Sequence, residues 1–187
     1  MNLPNLLTLA RIVLVPFFVL LYVSEWEGRY IATAVLFALA AFTDWLDGFI
    51  ARRLNQTTPF GAFLDPVADK IIVATALVLI VGHYSDMWLT LPASVIVGRE
   101  IVISALREWM AEVNLRNRVA VSWLGKVKTT MQMIAISVLL ATPPWVYEIW
   151  TLGGYVLMYA AATLTLVSMV LYLVAAWPAL RIGLERR

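Results

Sequence analysis

The sequence predicts an all-α, polytopic membrane protein, with six transmembrane helices and a short N-terminal interfacial helix. Three observations carry that expectation. Of 187 residues, 62% are hydrophobic and 14% are charged, and the mean hydropathy is +0.84; a soluble domain of this length cannot bury so much apolar surface. The apolar residues fall into stretches near the roughly 20 residues needed to cross a bilayer, divided by short polar breaks. Eight Trp and seven Tyr suit the aromatic belts at membrane interfaces.

Residues 1–10 read as the interfacial helix. The N-terminus has no basic segment before its apolar run and no small-residue cleavage site, so it reads as retained rather than as a signal peptide. The spans are expected at about 11–24, 30–51, 61–82, 88–107, 120–141 and 149–178, with SEWEGR, RRLNQTTP, GHYSD, REWMAEVNLRNR and TPPWVYE as the breaks. Pro59, after Thr57 and Thr58, marks a helix start, because proline fits the first turn and threonine caps it. Pro16, Pro66 and Pro92 fall inside spans, where each removes a backbone donor and is expected to kink or reposition its helix. Nothing divides the chain, so 1–187 reads as one domain. The absence of cysteine excludes a disulfide framework and a thiol nucleophile. A net charge of +2 gives no ground for a nucleic-acid partner.

Loop charge sets the orientation. One set of connections carries Arg52 and Arg53, then Arg107, Arg116 and Arg118 with Lys126 and Lys128 close by, and finally Arg181, Arg186 and Arg187. The opposite set holds Arg29 against Glu25, Glu27, Asp86 and Glu148. The positive-inside rule places the first set and both termini in the cytoplasm, which requires an even number of spans.

Four aspartates stand inside this apolar sequence: Asp44, Asp47, Asp65 and Asp69. An intramembrane carboxylate is costly enough to mark a functional site by default. At helical spacing Asp44, Asp47, Gly48 and Ala51 share one face of the second span, and Arg52 borders it. On the next helix Gly61, Asp65 and Asp69 form an i, i+4, i+8 line. With Arg52 at the cytoplasmic edge, Asp47 and Asp44 lie about 7 and 12 Å deeper at 1.5 Å per residue, and the third helix returns through the same depth. Ordinary ion pairing, of Asp44 or Asp47 with Arg52 and of Asp69 with Lys70, leaves four acids against two cations. Carboxylates without His or Cys favour hard cations, Mg²⁺ or Mn²⁺, and two ions on four carboxylates is an arrangement used for phosphoryl transfer. Gly48, Ala51 and Gly61 leave room for a nucleotide, and Arg52 is placed to contact a diphosphate. A cation-coupled transporter also keeps acids in its membrane, but nearer the midplane and with paired broken helices.

These residues spell D-x2-D-G-x2-A-R-x8-G-x3-D-x3-D without departure, from Asp44 to Asp69. The run resembles the signature of the CDP-alcohol phosphotransferase family. The flanking NLPNLLTLARI, FGAFLDPVADK, GREI, ALREWMAE and GKVKTT extend the likeness over the whole chain, to the branch whose acceptor is sn-glycerol 3-phosphate. The resemblance implies a six-helix homodimer in the inner (cytoplasmic) membrane, among membrane lipids, with its active site open to the cytoplasm. It implies transfer of a phosphatidyl group from CDP-diacylglycerol to glycerol 3-phosphate, with release of CMP. It further implies that Asp44, Asp47, Asp65 and Asp69 hold two divalent ions, that Asp69 is also the general base, and that Gly48, Ala51, Arg52 and Gly61 line the CDP-diacylglycerol site. Siblings using serine, inositol phosphate or phosphatidylglycerol share the core signature.

An acceptor carrying its own phosphate also needs fixed cations. Arg99, Arg107, Lys126 and Lys128 are the candidates, near the cytoplasmic ends of the fourth and fifth spans. Arg99 and Arg107 are an i, i+8 pair on nearly one face. A basic residue as deep as Arg99 is costly without a task or a partner, whereas Arg107, Lys126 and Lys128 also fit as positive-inside residues touching anionic lipid. Glu112 and Arg116 read as a surface pair, and His83 as a loop residue with no part in the chemistry.

Overall fold

A computed structural model describes residues 3–54, 59–112, 123–146 and 149–185. Among them are six helices and no strand: α1 Leu3–Val23, α2 Arg29–Leu54, α3 Pro59–Tyr84, α4 Met87–Glu112, α5 Trp123–Ala141 and α6 Ile149–Glu185. The order matches the sequence expectation, with one correction. The interfacial helix and the first span are one continuous helix, Leu3–Val23, with no break near residue 10. Pro16, Pro66 and Pro92 each lie inside a continuous helix.

Among the described residues, Asn5–Val23, Met87–Met110 and Ile149–Val174 are long and apolar enough to cross a membrane. Arg29–Thr43 and Val127–Ala141 are shorter apolar helices. The outward faces are apolar too: Val13, Phe17 and Leu20 of α1 are exposed, while Phe18 and Tyr22 are buried. This inverts the soluble pattern and suits a chain whose solvent is lipid.

The chain forms two compact units, Met1–Asp86 with Met133–Tyr155, and Met87–Gln132 with Val156–Arg187. In the first, α1 lies against α2 and α3, and α2 touches α3. Its core holds Phe18 and Phe37, ring centroids 6.3 Å apart, with Leu77 and Ile80. Ser85, at φ 48°, ends α3 in a left-handed step that turns the chain within two residues into α4. The Tyr84 hydroxyl donates to the carbonyls of Leu139 at 3.2 Å and Thr142 at 2.8 Å, satisfying acceptors that the end of α5 leaves open. A Cβ at Gly154 would meet the buried Leu139 side chain at 2.8 Å, so glycine lets α6 lie against α5. In the second unit Met110 of α4 packs on Ala176 of α6, flanked by Leu106 and Trp109.

At the end of the first unit remote from the aspartates, Tyr22, Tyr30, His83 and Trp145 form an aromatic group. Tyr22 and Tyr30 pack edge-on at 5.7 Å, and each meets the His83 ring, at 5.3 and 5.6 Å. The Tyr30 hydroxyl and His83 Nε2 share a hydrogen bond of 2.8 Å. His83 belongs to the last turn of α3, not to a loop.

Candidate active site

The signature aspartates sit on two helices, Asp44 and Asp47 on α2 and Asp65 and Asp69 on α3. The surroundings of Asp44, Asp47, Gly48, Ala51 and Arg52 lie outside what the structure describes, as do those of Lys126. Of the signature, Gly61, Asp65 and Asp69 are therefore described with their surroundings. Gly61 is buried, Asp65 exposed and Asp69 half-buried, one turn apart along α3.

Asp65 has a partner that sequence reasoning did not find. Thr8 Oγ1, from the buried face of α1, donates to Asp65 Oδ1 at 2.5 Å across 57 residues of chain. Thr8 is 1% exposed, and Asn5 and Arg11 on the same side of α1 are buried as well. A carboxylate has about four lone-pair sites, so this bond fixes the Asp65 rotamer and still leaves acceptors for a cation. The donors of the signature are oxygens throughout, which fits a hard divalent ion.

The acceptor candidates belong to the second unit. Arg99 Nη1 donates to Glu100 Oε1 at 2.7 Å, and Lys128 Nζ donates to the same oxygen at 3.1 Å. Arg107 Nη2 donates to the Tyr172 hydroxyl at 3.2 Å. The Tyr172 ring also faces both guanidinium groups, 6.0 Å from Arg99 and 5.5 Å from Arg107. Three cations from α4 and α5 thus share one neighbourhood with Glu100 and with Tyr172 of α6. Lys128 is the most buried of them, with 3% of its side chain exposed. Sequence reasoning missed Glu100 and Tyr172. Glu100 carried a usable signal, being a carboxylate well inside an apolar span, whereas Tyr172 was indistinguishable from a membrane-belt tyrosine.

The family model for CDP-alcohol phosphatidyltransferase matches residues 1–178. The chain belongs to that family. Its relatives include proteins named CDP-diacylglycerol–glycerol-3-phosphate 3-phosphatidyltransferase. That of Pseudomonas fluorescens is 55% identical over 184 residues, 97% of this chain and 93% of the relative. That of Escherichia coli K12 is 56% identical over 176 residues, 94% of each chain. That of Salmonella typhimurium is 55% identical over the same length and coverage. Family membership and the long apolar helices make this CDP-alcohol phosphatidyltransferase a membrane protein.

Proposed function

We propose that this protein transfers the phosphatidyl group of CDP-diacylglycerol to sn-glycerol 3-phosphate, giving phosphatidylglycerophosphate and CMP. The observation that supports the acceptor is Arg99 and Lys128 sharing one oxygen of Glu100, with Arg107 and Arg99 both beside Tyr172. Among these described side chains three cations stand against one carboxylate, with Arg99 and Lys128 largely buried; a phosphate dianion would balance the excess and serine would not. The names and full-length identity of the relatives support the same acceptor over inositol phosphate.

In this reading, Asp44, Asp47, Asp65 and Asp69 hold two divalent cations, Mg²⁺ or Mn²⁺, which when bound polarise the diphosphate and stabilise departing CMP. Asp69 takes the proton of the attacking acceptor hydroxyl. The acceptor oxygen forms a bond to the lipid-side phosphorus as the bond from that phosphorus to the CMP oxygen breaks. Gly48, Ala51, Arg52 and Gly61 line the nucleotide and diphosphate site. Arg99, Arg107, Lys126 and Lys128 grip the acceptor phosphate, so that binding energy remote from the reacting hydroxyl serves to orient it. The 1–187 chain works as one domain of six spans, as a homodimer in the inner membrane with its active site toward the cytoplasm.

The test is purified protein in detergent with CDP-diacylglycerol and Mg²⁺, measuring CMP release with glycerol 3-phosphate, serine, inositol or inositol phosphate as acceptor. Release dependent on glycerol 3-phosphate is expected. Release that follows another acceptor would reassign the protein to a sibling activity.

A further inference from the structure

Glu100 stands inside an apolar helix and is itself only 30% exposed, yet it is engaged by two cations through a single oxygen. A pair buried for stability alone would be expected to neutralise itself, because an uncompensated buried charge is strongly destabilising. Here Lys128 is in excess of the Arg99–Glu100 pair, and Arg107 adds a further cation against Tyr172. The way Arg99 is held is informative. Its Nη1 is spent on Glu100, while Nε is buried with no hydrogen-bond partner among the described residues. The Nε–Nη2 edge of a guanidinium is a two-pronged fork that matches a phosphate or carboxylate edge. Lys128 likewise gives one hydrogen bond to Glu100 out of the three an ammonium can donate. The Tyr172 ring and hydroxyl fix Arg107 and face Arg99 from α6.

We infer that Glu100 and Tyr172 are positioning residues of the acceptor site, holding Arg99, Arg107 and Lys128 with their remaining donors set for a phosphate dianion. The inference rests on the function proposed above. Glu100 fixes two cations that would otherwise repel and swing apart, and it lowers the group's charge from +3 to +2, the value a dianion matches. Tyr172 prevents the two arginines of α4 from collapsing onto other acceptors.

The test uses the full chain in detergent with Glu100→Gln, Glu100→Asp and Tyr172→Leu, alongside Arg99→Ala. Glu100→Gln keeps an oxygen acceptor but removes the charge, whereas Glu100→Asp keeps the charge but withdraws it by one methylene, so one variant remains informative if the other fails to fold. The KM for glycerol 3-phosphate is expected to rise about tenfold or more in each, the scale of one lost charge-assisted hydrogen bond. The KM for CDP-diacylglycerol should stay put, and inorganic phosphate should weaken as a competitor of the acceptor. A role confined to stability would instead lower Tm and move neither KM selectively, and that result would overturn the inference. So would an acceptor KM that responds to Arg99→Ala but not to either Glu100 variant; the proposed function would then survive. Absence of any glycerol 3-phosphate-dependent CMP release from the unmodified chain would remove both.

Discussion

Thr8 is where a single side chain ties the N-terminus to the signature. Its hydroxyl fixes Asp65, and outer partners of a metal-binding carboxylate commonly change metal affinity by about 10- to 100-fold when removed. Thr8→Val should therefore raise the Mn²⁺ concentration needed for half-maximal activity by that order and weaken Mn²⁺ binding measured directly by electron paramagnetic resonance. Thr8→Ser, which restores the donor, should recover most of it. Unchanged Mn²⁺ binding in Thr8→Val would mean that the 2.5 Å contact is packing alone. Asp69→Asn addresses the proton instead. It should lower turnover by about 10²-fold or more, the usual scale for a general base, while CDP-diacylglycerol still binds. Near-normal turnover would move the base elsewhere. The four aspartates were legible in the sequence because charge inside apolar sequence stands out. The same rule applied to Glu100, where the neighbouring Arg99 drew attention and its carboxylate did not. Thr8 was not legible, because a threonine in an apolar helix declares nothing until a partner 57 residues away arrives.

At the scale of elements, periodicity and length gave six helices in the right order, with most ends within about three residues and the ends of α1, α4 and α6 missed by more. The expected division of α1 near residue 10 fails because leucines continue the helix across it. The last helix was expected to stop at 178 and runs to Glu185. At 37 residues and 1.5 Å per residue it is about 55 Å long, well beyond the roughly 30 Å hydrocarbon core, so one end must stand in the interface or in water. Tyr84 gives the element-scale test. Tyr84→Phe removes the donor that serves the end of α5 and should destabilise the protein by about 1 kcal/mol, seen as a lower Tm in detergent with unchanged KM for both substrates. A shifted KM would mean that the α3–α5 junction also shapes the site.

For the whole molecule, two dependences on solution conditions follow. EDTA should abolish activity and Mg²⁺ or Mn²⁺ restore it; full turnover in rigorously chelated buffer would sink the two-ion reading. The second concerns His83, in the last turn of α3 and outside the helices long and apolar enough to cross a membrane. Burial, and then the nearby Arg29 guanidinium, hold its pKa below the ordinary 6.5. The folded protein thus resists a proton that the unfolded chain accepts. Stability from this site is complete above pH 6.5 and falls as the pH drops through that value toward the lower folded pKa. His83→Gln should flatten the Tm–pH curve in that window; an unaltered curve would assign the pH dependence to other groups. Composition and loop charge made the membrane class readable in advance. The division into two compact units was not, because it depends on how α5 and α6 share their contacts, which no local pattern encodes.

The Thr8–Asp65 bond also bears on how the chain is made. Asn5, Thr8 and Arg11 form a polar stripe on α1, which is synthesised before α3, and in the finished protein that stripe is 8%, 1% and 3% exposed. The partner of Thr8 is synthesised 57 residues later. At about 5–20 residues per second, α1 waits on the order of 3 to 11 s before α3 can cover it. During that interval the stripe needs water, headgroups or an insertion factor as its companion. The order of synthesis therefore leaves the donor of that bond waiting for its acceptor, and α3 is the segment that supplies it.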